Sequence, residues 1–449
     1  MVFNFSSTNI AAHMTLRRIV DRSPSFNRLH LIVLLIFILS FHGCTGIREV
    51  IDNLPLQRYQ VEMIEKNDFL IEKDDDVIGR VAIIRIEKDD TLPDIARHFG
   101  LGINTISAAN PDIDIWVPEA GERILLPMSF ILPDTHREGI VINLAAMRLF
   151  AFYGNGDPLA VSTYPVGIGT AERPTPTGQM HVTHKKSRPT WYVPASIAEE
   201  HRQKGDPLPP EVPPGPLNPL GEHALYLNKP AYLIHGTNKP ASIGLRATNG
   251  CIRLYPEDVK RLFENSPVES PVNIVYQPYL VGQRDGIVYM EVHKPFDASD
   301  TTELKKAYTT LRNIEENSGY TLDWPKVEAV VAEARGFPVP ISEGSNPGVN
   351  GVLEAIELAH PGNLYGQPEI PELETDAWYV LAAILDDKVD AKRLAAIINH
   401  QGPQIPARVV SRGGRHRVLA GPFNTRSAAD DAAKRLRIDL EIDGLLIEP

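Results

Sequence analysis

The sequence predicts a multidomain chain. A mostly-β central domain, a β-sandwich or barrel over 136–277, is flanked by a small strand–helix–helix–strand module at 79–128 and an α+β module at 375–449. Three observations carry this expectation. The 449 residues suffice for about three domains, and 43% apolar residues are ample for ordinary cores. Apolar residues alternate with period two through the centre, and they recur at helical spacing in the flanking segments. A net charge of −12 with no basic stripe excludes nucleic acid as a partner class.

Residues 1–44 read as an export signal. Arg17, Arg18, Arg22 and Arg28 precede an apolar run from Leu29 to Phe41, too short to span a bilayer comfortably. Met14 is an alternative start, and an uncleaved membrane anchor is the alternative reading. Cys44 follows Gly43 in a frame that resembles a lipoprotein processing box, which makes it the candidate lipidation site; Phe41 and His42 depart from the usual box. Otherwise it is an ordinary residue of a discarded signal. Thr45 is not the acidic residue of inner-membrane retention, which favours the outer membrane. With Cys44 lipidated or removed, Cys251 is the single remaining thiol and no intrachain disulfide can form. A lone thiol in an oxidising compartment is exposed to oxidation, so its retention suggests a reactive role.

Residues 45–78 read as a polar linker. The module at 79–128 opens with a strand at Val81–Ile86. A helix follows with Leu92, Ile95, Ala96 and Phe99 on one face, stopped by Gly100, then a shorter helix with Ile103, Ile106 and Ala109. "ERILLP" closes the module as a strand. The phrase "DDTLPDIARHFG", with Asn110-Pro111 and "ILLP" after it, resembles the LysM domain. That resemblance implies binding of N-acetylglucosamine-containing glycans and makes Asp90, Thr91 and Asn110 candidate glycan-binding residues. The alternative is that they only shape the fold, Thr91 capping a helix and Asn110-Pro111 making a turn.

From 136 to 277, "GIVINLAAMRLFAFY", "AVSTYPVGIG", "ALYLNKPAYLIHG" and "PVNIVYQPY" alternate as strands, and "YPEDVKRLFEN" gives one helix. The proline-rich stretch 206–221 is either a connector or a stiff wall over a groove. Residues 278–374 read as a helical and linker region. The segment 375–449 reads strand, helix, strand, strand, helix, strand. Its "RVLAGPF", followed by Thr425 and an Ala-rich helix, resembles the SPOR domain, which implies binding of glycan strands stripped of peptide. A generic α/β tail is the alternative, and "VLAAIL" lacks the Gln and Ser of that family's first strand.

The chemistry concentrates in "IHGTNKPASIGLRATNGCIRL", 234–254. Thiol-dependent acyl transfer needs a thiolate, a base and oxyanion donors. Sixteen positions separate His235 from Cys251, enough for a loop to return the thiol beside the imidazole. Gly236 and Gly250 remove side chains next to both groups, and backbone N–H groups near Gly250 and Cys251 are candidate oxyanion donors. This frame, with "YPVGIGTAERPTPTGQMHV", "PTWYVP" and "PPGPLNPLGEHALYL", is identified as a member of the YkuD-type L,D-transpeptidase family, ErfK/YbiS/YcfS/YnhG branch. The resemblance implies Cys251 as nucleophile, His235 as general base and acid, and Gly236, Thr248, Asn249, Gly250 and Arg253 around the oxyanion and substrate. Asn249 stands where the family has a histidine. It can donate a hydrogen bond but cannot shuttle a proton at neutral pH. Arg173, Trp191 and Tyr192 either touch substrate or only pack. His181, His184 and His223 lack metal-ligand spacing, and no metal or cofactor is expected.

The implied activity is transfer of peptidoglycan tetrapeptide stems, forming 3→3 cross-links or attaching an envelope protein such as a lysine-ended lipoprotein. The alternatives are an L,D-carboxypeptidase or amidase on the same scaffold, or a non-catalytic peptidoglycan-binding scaffold. The expected location is the periplasm or cell envelope, membrane-attached through the N-terminal lipid or signal anchor.

Overall fold

The computed structural model describes residues 66–72, 74–154, 156–343 and 355–449; the expected signal and Cys44 lie outside the described residues. The chain begins with β1 (Asp68–Ile71), inside the segment read as a linker, and continues with β2 (Val77–Arg85), α1 (Leu92–His98), α2 (Ile103–Ala109) and β3 (Arg123–Ile131). β2 starts four residues earlier than the strand expected from Val81, because it pairs with β3 along its whole length, Val77 opposite Ile131. Thr91 caps α1, its hydroxyl accepting from the Asp94 N–H at 3.3 Å.

The central domain follows as β4 (Gly139–Asn143), β5 (Arg148–Tyr153), β6 (Leu159–Pro165), β7 (Ile168–Gly169), β8 (Gly178–Ser187), β9 (Trp191–Tyr192), α3 (Ala195–Gln203), β10 (Glu211–Val212), β11 (His223–Leu227), β12 (Leu233–His235), β13 (Arg246–Thr248), β14 (Ile252–Arg253), α4 (Pro256–Asn265) and β15 (Pro271–Val275). Nine strands form one curled sheet in the order β1-β6-β5-β4-β15-β8-β11-β12-β14. The curl nearly closes. Gly167, between β6 and β7, bridges Arg253 of the last strand, and β13 pairs in parallel with β7.

Alternation sorts the side chains onto two buried faces. Ile140, Ile142, Leu149 and Ala151 point inward with Ile234, Ile252 and the α4 residues Val259 and Leu262. Val141, Phe150, Phe152 and Val161 point outward, but they are covered by Leu92, Ile95, Phe99 and Leu101 of the strand–helix–helix–strand module. That module is therefore docked rather than strung on a linker. Arg97 of α1 reaches Glu257 of α4 through two hydrogen bonds of 2.9 Å, and the Tyr255 hydroxyl donates to the Leu101 carbonyl at 3.1 Å.

Residues 278–374, read as helices and linker, contain the two helices, α5 (Thr302–Ser318) and α6 (Trp324–Glu333), and also strands. β16 (Tyr279–Arg284), β17 (Ile287–Val292) and β18 (Val339–Pro340) form an antiparallel sheet against them, and β19 (Ile356–Glu357) extends β2. The missed hairpin turns at Asp285-Gly286, both at positive φ, as a tight two-residue turn requires.

The C-terminal module runs β20 (Trp378–Leu385), α7 (Lys388–Asn399), β21 (Ala407–Arg412), β22 (Arg415–Phe423), α8 (Arg426–Leu440) and β23 (Leu445–Ile447), the expected element order. Its sheet, β21-β22-β20-β23, shares a core with both helices through Val380, Ala391, Ile398, Val418 and Leu436. It leans on both neighbours. Lys434 and Asp439 of α8 pair with Asp206 (2.6 Å) and Lys239 (3.2 Å), and Arg393 of α7 pairs with Asp114 (2.7 Å). At Gly402 a Cβ would fall 1.6 Å from the Asn238 carbonyl oxygen, so this contact accepts only glycine.

Candidate active site

β12 and β14 are parallel neighbours, Ile234 opposite Ile252 and His235 opposite Arg253. Both isoleucines are fully buried in the core. Alternation therefore turns Leu233, His235 and Arg253 to the other face. Cys251 is the residue immediately before β14, and His235 is the last residue of β12, so the parallel pairing brings the two ends of the motif to neighbouring strands of one sheet.

His235 is buried, and its Nδ1 lies 2.6 Å from the Gly236 carbonyl oxygen. A carbonyl only accepts, so Nδ1 carries the hydrogen and Nε2 is the unprotonated nitrogen. Burial, helped by the Arg253 charge, lowers the imidazole pKa to about 3, while the carbonyls of Gly236 and Leu220 favour the protonated ring. The ring is thus neutral at physiological pH, with two acceptors placed to support an imidazolium. The Leu220 carbonyl belongs to the proline-rich stretch 206–221, which makes that stretch part of the site wall. Asn218 pins it, donating to the Pro189 carbonyl at 2.8 Å.

Cys251 is half-buried, and its thiol donates to the Ala231 carbonyl at 3.4 Å. Burial pushes the thiol pKa up, against the Leu233 N–H and the Arg253 guanidinium, which favour the thiolate. Arg253 is likewise half-buried, its pKa drawn down to about 10 by desolvation. It touches the Ser242 hydroxyl at 3.4 Å, and its Nε has no partner among the described residues. The resting pair is a neutral imidazole and a thiol beside a half-buried cation, not a standing ion pair.

The loop carrying the thiol is held from several sides. The Thr248 hydroxyl donates to the Cys251 carbonyl at 2.6 Å and accepts the Gly250 N–H at 3.1 Å. The Thr175 hydroxyl donates to the Gly250 carbonyl and accepts the Gly169 N–H, each at 2.9 Å. Gly250 sits at φ +101°, where a Cβ would meet a Tyr232 ring carbon at 2.8 Å. The Gly250 N–H is therefore committed inward and unavailable to a ligand.

Asn249 is fixed differently. Arg173 donates to its Oδ1 and also pairs with Glu200 of α3 at 3.2 Å. With Oδ1 taken by a guanidinium, the Asn249 amide offers its N–H₂ outward. Sequence reading noted Arg173 but not Glu200, Thr175 or Leu220. Thr175 and Leu220 lie in phrases the sequence reading quoted, TPTG and PPGPLNPLG, whereas Glu200 carried no local signal.

The other candidates lie elsewhere. Asp90 accepts the Glu87 N–H at 2.7 Å and faces His360 at 3.1 Å; Asn110 exchanges 2.8 Å hydrogen bonds with both backbone groups of Leu125. Asp90, Thr91 and Asn110 are all buried, and their polar atoms serve the chain itself. His184 stacks on Tyr226, His223 packs against Phe263, and His181 sits 3.7 Å from Glu269. Trp191 is half-buried and Tyr192 exposed on the short β9.

Residues 137–274 match the family model YkuD, L,D-transpeptidase catalytic domain. A relative from Escherichia coli strain K12, "Probable L,D-transpeptidase ErfK/SrfK", is 37% identical over 279 residues, covering 60% of this chain and 88% of that protein. The chain belongs to the L,D-transpeptidase family. From the same organism, "Probable L,D-transpeptidase YbiS" is 40% identical across 50% of this chain and 74% of its own, and "Probable L,D-transpeptidase YcfS" is 40% identical across 49% and 70%. This L,D-transpeptidase carries a second match, to the SPOR domain, at 374–448. It is an acyltransferase enzyme of peptidoglycan, and its SPOR domain implies binding to that polymer. The LysM resemblance rests on the sequence phrase and the strand–helix–helix–strand architecture alone.

Proposed function

We propose that this enzyme transfers the tetrapeptide stem of one peptidoglycan strand to an amine, with Cys251 as nucleophile and His235 as base. The reading is supported by a neutral imidazole at the end of β12 and a thiol at the residue that leads into β14, its parallel neighbour. His235 Nε2 takes the thiol proton as sulfur attacks the carbonyl at the L-centre of diaminopimelate. The bond to the terminal D-alanine breaks, the imidazolium returns its proton to the departing amine, and a thioester remains. An acceptor amine then attacks the thioester, gives up its proton to Nε2 and expels the sulfur. The Gly236 and Leu220 carbonyls support the transient imidazolium, and Arg253 favours the thiolate.

With the Gly250 N–H committed to Thr248, the oxyanion donors fall to the Cys251 N–H and the Asn249 amide that Arg173 orients. Asn249 thus supplies a fixed donor at the position where the family has a histidine. The acceptor is a second stem, giving a 3→3 cross-link, or a lysine of an envelope protein. The strand–helix–helix–strand module grips glycan together with the SPOR domain, which raises the local concentration of stems at the site. The periplasmic side of the envelope suits both. Among the described residues no helix is long and apolar enough to cross a membrane, and the attachment we assign to Cys44 lies outside them.

Incubating the full chain with disaccharide-tetrapeptides tests the reading. Free D-alanine and cross-linked dimers are expected, both absent in Cys251→Ala. D-alanine release with tripeptides and no dimers would instead establish hydrolysis.

A further inference from the structure

α3 reaches the thiol loop through Arg173, yet none of its nine residues is buried. A helix without a buried face has little apolar packing to hold it, so its placement depends on polar contacts. Among the described residues, two ion pairs lead out of this segment. At one, Glu200 pairs with Arg173 at 3.2 Å, and Arg173 donates to the Asn249 Oδ1 beside Cys251. At the other, Asp206 pairs with Lys434 of α8 at 2.6 Å.

Asp206 is fastened to α3 twice. Its N–H donates to the His201 carbonyl at 2.9 Å, and its Oδ2 faces His201 Nδ1 at 3.3 Å. Burial opposes its charge, but the hydrogen bonds from Lys434 and His201 outweigh that and hold the carboxyl below its usual range. Lys434 is anchored in turn, because α8 sets Ala432 and Leu436 into the C-terminal core and pairs Asp439 with Lys239 at 3.2 Å. A line of charged contacts thus runs from the C-terminal module through an unburied helix to the residue before the thiol.

We propose that Lys434 is a positioning residue for acyl transfer. Through Asp206 it sets α3, Glu200 of α3 sets Arg173, and Arg173 aims the Asn249 amide at the acyl oxygen. The inference rests on the transpeptidase reading, in which Asn249 is an oxyanion donor, and gives the C-terminal module a role besides gripping polymer. The two roles differ in reach. A grip on the wall affects only substrates within the wall, whereas a positioning contact affects any acyl donor, however small.

The test is the rate at which a soluble carbapenem acylates Cys251 in the full chain, read by intact mass with no peptidoglycan present. A partly exposed ion pair shifts an equilibrium by a few-fold, and reversing a charge adds repulsion, so Lys434→Glu should slow acylation by roughly three- to tenfold. Asp206→Lys should do the same. Lys434→Arg should keep the native rate, and the variant combining Asp206→Lys with Lys434→Glu should recover part of it. In an Asn249→Ala background, Lys434→Glu should cost nothing further, because residues acting through one another are not additive. Arg393→Gln, which breaks the docking contact with Asp114 away from α3, should leave the rate unchanged. A Lys434→Glu chain that acylates at the native rate, whatever its melting temperature, overturns the inference alone. So does an equal loss in Arg393→Gln, or an undiminished further loss in Asn249→Ala. A native chain that the carbapenem does not acylate overturns the transpeptidase reading itself.

Discussion

His235 and Cys251, the pair we propose as base and nucleophile, are both shifted by burial toward their neutral forms. Burial holds the imidazole well below its ordinary range, to about 3, and holds the thiol above its own. Removing the base, as in His235→Gln, should slow carbapenem acylation by roughly 10²–10⁴-fold, read as the rate of adduct formation by intact mass. The pH profile follows from the same shifts. An imidazole protonating near 3 stays a competent base through pH 5, so no acid limb should fall at 6–7. A thiol with a raised pKa is still mostly protonated at neutral pH, so the rate should go on rising into the alkaline range. Rates measured from pH 4 to 10 check both; an inflection near 6.5 would point to an exposed, ordinary histidine. The pair we assign stands out in the sequence because its chemistry leaves a compact signature, His-Gly and Gly-Cys-Ile-Arg within one short stretch. The partners of Asn249 were not. Arg173 lies 76 positions from it and Glu200 a further 27 positions from Arg173, and only the folded chain joins them.

Among elements, the turn between β13 and β14 sets the thiol. Gly250 occupies a left-handed conformation and is hemmed in by Tyr232, so Gly250→Ala should cost about 1–3 kcal/mol of stability and misplace the sulfur. Thermal unfolding together with adduct kinetics reads both effects; unchanged values for each would remove the turn from the argument. The amphipathic helices and long alternating strands were readable from periodicity, as α1, α2, α4 and the C-terminal elements show. β1 was not, because "DFLI" gains meaning only against β6. The β16–β17 hairpin did carry a signal, alternating residues around Asp285-Gly286, but the neighbouring helical patterns dominated that region's reading.

At the scale of the molecule, four parts close on one another, the strand–helix–helix–strand module through an apolar core and the C-terminal module through charged contacts. His400, at the end of α7, meets Asp94 of α1 at 3.0 Å and the Thr91 hydroxyl at 3.3 Å, with Trp116 against its ring. Burial opposes its protonation, but the Asp94 carboxylate outweighs that and the imidazole pKa is raised, with Arg97 opposing weakly. A histidine whose folded pKa exceeds its unfolded value stabilises fully below about pH 6.5 and loses that contribution as pH rises through the elevated value. Docking of the SPOR domain on α1 should therefore loosen above neutrality. Hydrogen exchange in α7 should be slower at pH 6 than at pH 9 after correction for intrinsic rates, with the difference flattened in His400→Gln. Equal protection at both pH values would show that the contact does not report on this proton.

The short strand β1 has a mechanical consequence. Four rungs, from Asp68–Ser162 to Ile71–Leu159, join it to β6, and β6 runs on into Gly167 and the strand beside the thiol. If the chain is tethered upstream, tension from a moving envelope enters the enzyme through those rungs and passes along β6 to the short link that leads into β7. Stretching of the wall would then be felt where the wall is joined.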